Sequence, residues 1–245
     1  MGDRTRLFSG IIERVYQDLS GSEYDLIILN SSDSSGTFRH VNATGTVKYK
    51  TAVSALVALG WQSSYLGSSI TPRKAWADIP ERYYGTNFVH VGVIFDYLAT
   101  VEQRRGQVNV EFISNPCVYP STKKAAASEH GGYDESVLNI FLNDWSRVVN
   151  LLPGDYSVSA KRTTIKSRRF SVVYLVFLRR RRLYGIHSYR KYKPLLKSST
   201  DVSLLFALVI SLFPVPVLEM IKKAKDAVIS FLPSVVVDYL KRQSP

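Results

Sequence analysis

The sequence predicts an α+β fold with an antiparallel, jelly-roll-like β-sandwich at its core, flanked by helices and preceded by an amino-terminal helical arm. About nine short apolar segments read as strands, because they alternate in polarity or run continuously between turn residues. Helical periodicity occurs at both ends of the chain. No internal repeat and no linker rich in Gly, Pro or Ser interrupts the 245 residues. We therefore expect an arm at 1–22 and a single domain at 23–245.

The amino-terminal arm is predicted from residues 4–19, which have the pattern of an amphipathic helix. Apolar side chains recur there at four-residue spacing, which places them on one face of a helix. The short flexible sequence at 20–22 follows and would let the helix dock on another subunit. The arm residues are Leu7, Ile11, Val15 and Leu19.

The clearest strand pair is predicted at 88–98 and 107–113, because Val108, Val110 and Phe112 alternate with polar residues. Other segments follow from the same kind of pattern. Strands are expected at 24–30, 37–42, 46–49, 156–161, 170–178, 183–189 and 201–213, and helices at 51–59, 134–150 and 215–232.

The net charge of +12 is concentrated in one segment, 161–193, which has twelve basic residues and no acidic residue. The rest of the chain is neutral. A local excess of positive charge favours an anionic partner. Four consecutive arginines cannot all point one way on a strand, so we expect them to straddle a hairpin end and bind nucleotide phosphates or acidic groups. These candidate phosphate ligands are Arg179, Arg180, Arg181 and Arg182.

Motifs of enzymes and metal sites are missing from the sequence. It has no Gly-rich phosphate loop, no Gly-x-Ser-x-Gly elbow and no His-Glu-x-x-His, and its four histidines lack metal-type spacing. The single cysteine, Cys117, excludes an internal disulfide. We therefore expect no catalytic residue, no metal site and no required cofactor. The apolar stretch at 203–218 contains two prolines and is too short to span a membrane, so a cytosolic protein is expected.

Several segments resemble the polyhedrins of cypoviruses, the insect reoviruses whose particles are embedded in protein crystals. The resemblance covers roughly the first 115 residues and then about 168–190. The stretch from Asp201 departs from the family pattern because it is more apolar. The segments that carry the resemblance are 4–8 with 24–28, 33–37, 41–42 and 47–51, 72–75 with 88–95, and 179–182 with 183–189.

The resemblance implies a β-sandwich protein that forms the crystalline matrix of viral occlusion bodies in the host cytoplasm. Family members assemble as trimers that pack into a cubic lattice, and nucleotides have a place in some of those lattices. The expected partners are thus other copies of the chain, virus particles and free nucleotides. The resemblance also implies that the crystals dissolve at alkaline pH.

Tyrosine is the residue type that we expect to trigger such dissolution, since the chain has fifteen of them. Burial in an interface raises the pKa of a tyrosine above its usual value of about 10, so its ionisation in alkali would break the interface. The candidates cluster with each other or with the basic segment. They are Tyr83, Tyr84, Tyr184, Tyr189 and Tyr192.

Three other interpretations remain open. The first is a viral matrix-like protein that binds RNA or an anionic membrane through 161–193, with the helix at 215–232 adding an apolar face. The second is a jelly-roll capsid protein with a basic interior. The third is an enzyme whose motif the sequence does not reveal.

Overall fold

A computed structural model describes residues 5–7, 9–21, 23–31, 46–65, 67–120, 136–167, 170–220 and 223. The chain divides into two compact units, an amino-terminal unit, Met1–Arg169, and a carboxyl-terminal unit, Phe170–Pro245. The boundary falls inside the basic segment at 161–193. The predicted strand at 37–42 and most of the predicted helix at 215–232 lie outside the described residues.

The predicted antiparallel β-sandwich is wrong. The described chain is mostly helical and has one small, open sheet with both parallel and antiparallel pairs. The predicted strands that the structure shows as helices are 88–98, 156–161, 170–178, 183–189 and 201–213.

The sheet belongs to the amino-terminal unit and is built around its longest strand. Its members are β1 (Thr5–Leu7), β2 (Leu26–Ser31), β3 (Thr46–Tyr49), β4 (Ser69–Ile70) and β5 (Val110–Pro120). Strand β5 runs parallel to β2, with Leu26 opposite Val110, and antiparallel to β1 and β3. Strand β4 extends the sheet antiparallel to β2. The predicted strands at 24–30, 46–49 and 107–113 are confirmed.

Both faces of the sheet are covered, which explains the continuous apolar run of β2. Leu26 and Ile28 point into the main core, whereas Ile27 and Leu29 point into a second cluster on the opposite face. All four are buried. A strand buried on two faces has no polar alternation, because neither set of side chains meets water.

The helices of the amino-terminal unit are α1 (Ile11–Gly21), α2 (Ala52–Leu59), α3 (Val89–Arg105), α4 (Trp145–Asn150) and α5 (Val158–Lys166). A π-helical stretch, Asn139–Asp144, leads into α4, and short 3₁₀ turns occur at Gln62–Ser64, Arg73–Trp76 and Glu81–Tyr83. The Thr51 side chain accepts from the Ser54 amide and caps α2. Gly106 ends α3 in the left-handed conformation, with φ of 75°. The predicted helices at 51–59 and 134–150 are confirmed.

In the residues that the structure describes, the regular elements of the carboxyl-terminal unit are helices. It contains α6 (Val172–Arg180), α7 (Ile186–Ser199) and α8 (Leu204–Leu212), and residues 215–220 are helical as well. Ser171 caps α6 by accepting from the Tyr174 amide at 3.2 Å. Within the described parts of both units, every helix is too short or too polar to cross a bilayer.

Candidate functional site

The arginine run lies at the carboxyl end of α6, not at the end of a hairpin. The helix ends at Arg180, and Arg182 adopts the left-handed conformation with φ of 61°. Cations at a helix carboxyl end are favoured by the helix dipole. The local fold therefore gives these arginines a structural role beside any binding role.

Two members of the run are committed to contacts inside their own unit. Arg179 donates from Nε to the Phe213 carbonyl oxygen at 2.9 Å and from Nη1 to the Tyr184 carbonyl oxygen at 3.1 Å. Arg180 makes a two-pronged contact with the Glu219 carboxylate, with N–O distances of 3.0 and 3.2 Å. Neither guanidinium is free to serve as a primary phosphate ligand.

The other two arginines face solvent. Arg181 and Arg182 are both exposed, and the Arg181 guanidinium carbon lies 4.9 Å from the ring centre of Phe177. A stacked guanidinium keeps its charge and its N–H edges, so it can still meet an anion. Of the four predicted phosphate ligands, these two are exposed, and their binding of phosphate stays a prediction.

Helix α8 presents an apolar face to solvent. Its buried side is formed by Ala207, Ile210 and Ser211, of which Ala207 and Ser211 are small. On the other side, four large apolar side chains of α8 fall within an arc of about 120° on a helix of 3.6 residues per turn, and Phe213, the C-cap residue, adds a fifth exposed apolar side chain. Their exposed fractions run from 36% at Phe213 to 67% at Leu205. The five are Leu205, Phe206, Val209, Leu212 and Phe213.

One hydrogen bond joins the helix that carries the arginine run to the end of α8. It runs from Arg179 to the Phe213 carbonyl oxygen and brings the end of α6 against the end of α8. Arg181 and Arg182 follow Arg179 within three residues, so the chain places them near this end of α8. We call these two arginines and the five apolar side chains of α8 the cationic–apolar surface.

The unit that holds this surface is strongly basic. Residues 170–245 contain thirteen basic and four acidic residues, so this unit carries +9 of the chain's +12. Four cations of α7 point into solvent. They are Arg190, Lys191, Lys193 and Lys197.

The predicted tyrosine switch residues are mostly internal. Tyr83, Tyr184, Tyr189 and Tyr192 are buried within the chain, and Tyr84 alone of the five is exposed. The Tyr184 hydroxyl donates to the Ala207 carbonyl oxygen at 3.0 Å, and burial raises its pKa. Burial and a hydrogen bond to Asp96 likewise raise the pKa of Tyr83. Their role in dissolving an assembly stays a prediction.

The predicted arm residues lie against the chain's own sheet. Ile11 is part of the second cluster, and Leu7 and Val15 pack against it, whereas Leu19 is exposed. Residues 5–7 form β1 and α1 begins at Ile11, so the predicted helix at 4–19 is a strand followed by a helix. Docking of this segment on another subunit stays a prediction.

Several buried polar or titratable side chains in the described residues of the amino-terminal unit have contacts inside the chain. The buried Asp25 carboxylate accepts from Arg105, from the Asn109 amide at 2.8 Å and from the Tyr97 hydroxyl at 3.4 Å. Burial raises the pKa of the Cys117 thiol to about 11, so it is a poor nucleophile near neutral pH. Burial lowers the pKa of His90, whose Nε2 lies 3.1 Å from the Ser64 carbonyl oxygen. In these residues, no three His, Cys, Asp or Glu side chains converge as metal ligands would.

The exposed face of α8 is not evident from the sequence, because the nearly continuous apolar run at 201–213 is also the pattern of a buried strand. A usable signal was present. Ala207 and Ser211 are the small residues of the segment and recur at four-residue spacing, which is the pattern of a helix packed through a narrow stripe.

Comparison of the chain with protein-family models, with curated proteins and with solved structures gives no match in any of the three.

Proposed function

We propose that this chain is a structural, matrix-like protein that binds the surface of anionic membranes through its carboxyl-terminal unit. The observation that supports this proposal best is the cationic–apolar surface. Five apolar side chains at α8 and the arginines Arg181 and Arg182 are exposed in the same unit, where Arg179 joins the end of α6 to the end of α8. The same unit carries most of the net charge.

The physical basis is the combination of two driving forces at one surface. Exposed aliphatic and aromatic side chains gain free energy when they enter the boundary between headgroups and acyl chains. Each Lys or Arg near an anionic leaflet contributes about 1 kcal/mol. Either force alone gives weak attachment, and together they give stable peripheral binding.

RNA binding, the other partner of the sequence-based alternative, is less well supported by this geometry. Neutralising phosphates needs the cations but gives no role to an exposed face of Leu205, Val209 and Leu212. An aliphatic face beside cations matches a lipid surface better than a polynucleotide. Membrane binding is therefore the proposal, and RNA binding becomes an outcome of its test.

The test is co-sedimentation of the full chain with phosphatidylcholine vesicles, with and without phosphatidylserine. We expect binding only with phosphatidylserine. The variant L205S/F206S should bind about tenfold more weakly, since it removes two exposed apolar side chains from the interface. The variant R181Q/R182Q should weaken binding and reduce its salt dependence.

A matched control is I12S/Y16S, which changes two exposed apolar residues of α1 in the other unit. This control should bind vesicles as the unmodified chain does. Equal loss of binding in the control and in L205S/F206S would contradict the proposal. Tight, salt-sensitive binding of single-stranded RNA without vesicle binding would replace it with the RNA interpretation.

Self-assembly into an occlusion-body matrix is a second candidate function, although the β-sandwich fold that was predicted together with it is wrong. The observation that favours it is the outer face of α1, where Ile12, Tyr16 and Leu19 are exposed. Sedimentation velocity of the I12S/Y16S variant tests this candidate. This candidate is eliminated if the variant has the same sedimentation coefficient as the unmodified chain and if cells that overexpress the unmodified chain contain no crystals.

A further inference from the structure

A groove beside α3 forms a cavity of about 490 Å³ in the amino-terminal unit. One wall is α3, whose lining residues recur three or four positions apart and so share a face. The other wall is the segment 74–80, which begins inside the Arg73–Trp76 turn and continues beyond it. The volume lies within the range of small-molecule sites. We call this cavity the α3 groove.

Two charged side chains of the groove are neutralised by the protein itself. Asp96 is paired with Arg82 and accepts from the Tyr83 hydroxyl at 2.6 Å. Arg105 is paired with the buried Asp25. These contacts fix the wall of α3 in place, and they leave neither group in need of a ligand.

Two cations of the groove lack this compensation. Lys74 and Arg104 are exposed and stand on opposite walls, one on each side of the cavity. Within the part of the chain that the structure describes, neither forms an ion pair, although the Lys74 ammonium lies 6.0 Å from the ring centre of Tyr97. Asp78 is the remaining charge of the lining, so the groove retains a net positive charge.

The lining of the groove combines apolar and polar residues. Val93 and Val101 of α3 belong to it and are almost completely buried, as is Ala75 of the opposite wall, while Ala77 and Pro80 add further apolar groups. Apolar walls with a few placed polar groups are the usual composition of a small-molecule site. A ligand that fits must combine an apolar body with an anionic head.

We propose that the α3 groove binds a small organic phosphate monoester. The phosphate group is held between Lys74 and Arg104, and the apolar body lies over Val93 and Val101. Arginine suits this role because its planar fork donates two hydrogen bonds to one phosphate, while lysine adds a point charge. This site is independent of the cationic–apolar surface and of membrane binding.

Isothermal titration calorimetry of the full chain with phenyl phosphate tests the proposal. We expect saturable binding of phenyl phosphate, weaker binding of inorganic phosphate, and none of phenol, since only phenyl phosphate has both the head and the body. The variant K74Q/R104Q should lose at least about tenfold in affinity. An A77W variant, which fills the groove from an exposed lining position, should lose binding as well.

Two matched controls distinguish the groove from general anion binding. Arg73→Gln changes an exposed cation of the same 3₁₀ turn that does not line the cavity. Arg147→Gln changes an exposed cation of α4 that does not line the cavity either. Both should bind phenyl phosphate as the unmodified chain does. Absence of saturable binding, or loss in the controls equal to that in K74Q/R104Q, would overturn the proposal, and neither result bears on vesicle binding.

Discussion

The Arg179 guanidinium and the Phe213 carbonyl are joined by a hydrogen bond of 2.9 Å, which links the end of α6 to the residue that ends α8. The last carbonyl groups of a helix have no hydrogen-bond partner within it. A cation that donates a hydrogen bond to one of them therefore stabilises the carboxyl end of the helix. Arg179 also donates a hydrogen bond to the Tyr184 carbonyl oxygen. The arginine run thus divides into residues that hold the unit together and residues that face solvent.

Replacement of Arg179 by Gln tests the structural half of this division. The change removes two hydrogen bonds from a charged donor to backbone carbonyls, and we expect a loss of about 2 kcal/mol in the free energy of unfolding. Urea unfolding followed by circular dichroism measures it. Arg181→Gln, at an exposed neighbour, is the control and should change stability by less than about 0.5 kcal/mol. Equal stability of the two variants would contradict the division.

Replacement of Arg182 by Gly should stabilise the chain by about 0.5–1 kcal/mol. Arg182 has φ of 61°, a conformation that costs a residue with a Cβ more than it costs glycine. The shift in the midpoint of thermal unfolding gives the measurement. Arg181, with φ of −80°, is the matched site, and Arg181→Gly should destabilise instead. A lower midpoint for Arg182→Gly than for the unmodified chain would show that its side chain has a structural role.

The fold was predictable where one periodicity was clear and was missed where apolar residues filled every position. Val108, Val110 and Phe112 alternate, and β5, which begins at Val110, overlaps the strand at 107–113 that they predict. In α3, Val91, Val93, Ile94, Phe95 and Leu98 are all buried, because sheet and helices surround it. A run of β-branched and aromatic residues then has no helical period to read, and its intrinsic preference is for a strand.

The candidate site was predictable in its charge and not in its shape. The basic segment is visible in the sequence as a run without acidic residues. Which of its arginines are committed depends on long-range partners, Phe213 and Glu219, which lie more than thirty residues away along the chain. No local pattern carries that information, so the division of the run required the structure.

Replacement of Gly92 by Ala should destabilise the amino-terminal unit by about 1–3 kcal/mol. A Cβ built at this position lies 2.6 Å from atoms of the Tyr83 ring. That ring cannot yield easily, because its hydroxyl is bonded to Asp96 and Arg82 lies over its face. Urea unfolding measures the loss. Gly154→Ala, at a site with open space around the Cβ, is the control and should be close to neutral. A near-neutral Gly92→Ala would mean that Tyr83 moves freely.

Alkaline pH should destabilise the folded chain through tyrosines that are buried within it. The Tyr156 hydroxyl donates to the Phe95 carbonyl oxygen at 2.7 Å, and burial raises its pKa above the usual value of 10. The pKa values of Tyr83 and Tyr184 are raised in the same direction, again with burial as the largest cause. Below about pH 10 both the folded and the unfolded chain keep these protons, so stability does not depend on these groups' titration.

Above about pH 10 the unfolded chain loses the protons that the folded chain retains, so the free energy of unfolding falls as pH rises. Each such tyrosine contributes about 1.4 kcal/mol per pH unit. Tyr156→Phe should lower stability at neutral pH, since it leaves the Phe95 carbonyl without its partner. Above about pH 10, the free energy of unfolding of this variant should also fall less steeply with pH, by the contribution of one tyrosine. Urea unfolding at intervals between about pH 8 and pH 11 measures that slope. Tyr84→Phe, at an exposed ring, should leave it unchanged. An identical slope in Tyr156→Phe and the unmodified chain would show that the Tyr156 proton is not linked to folding.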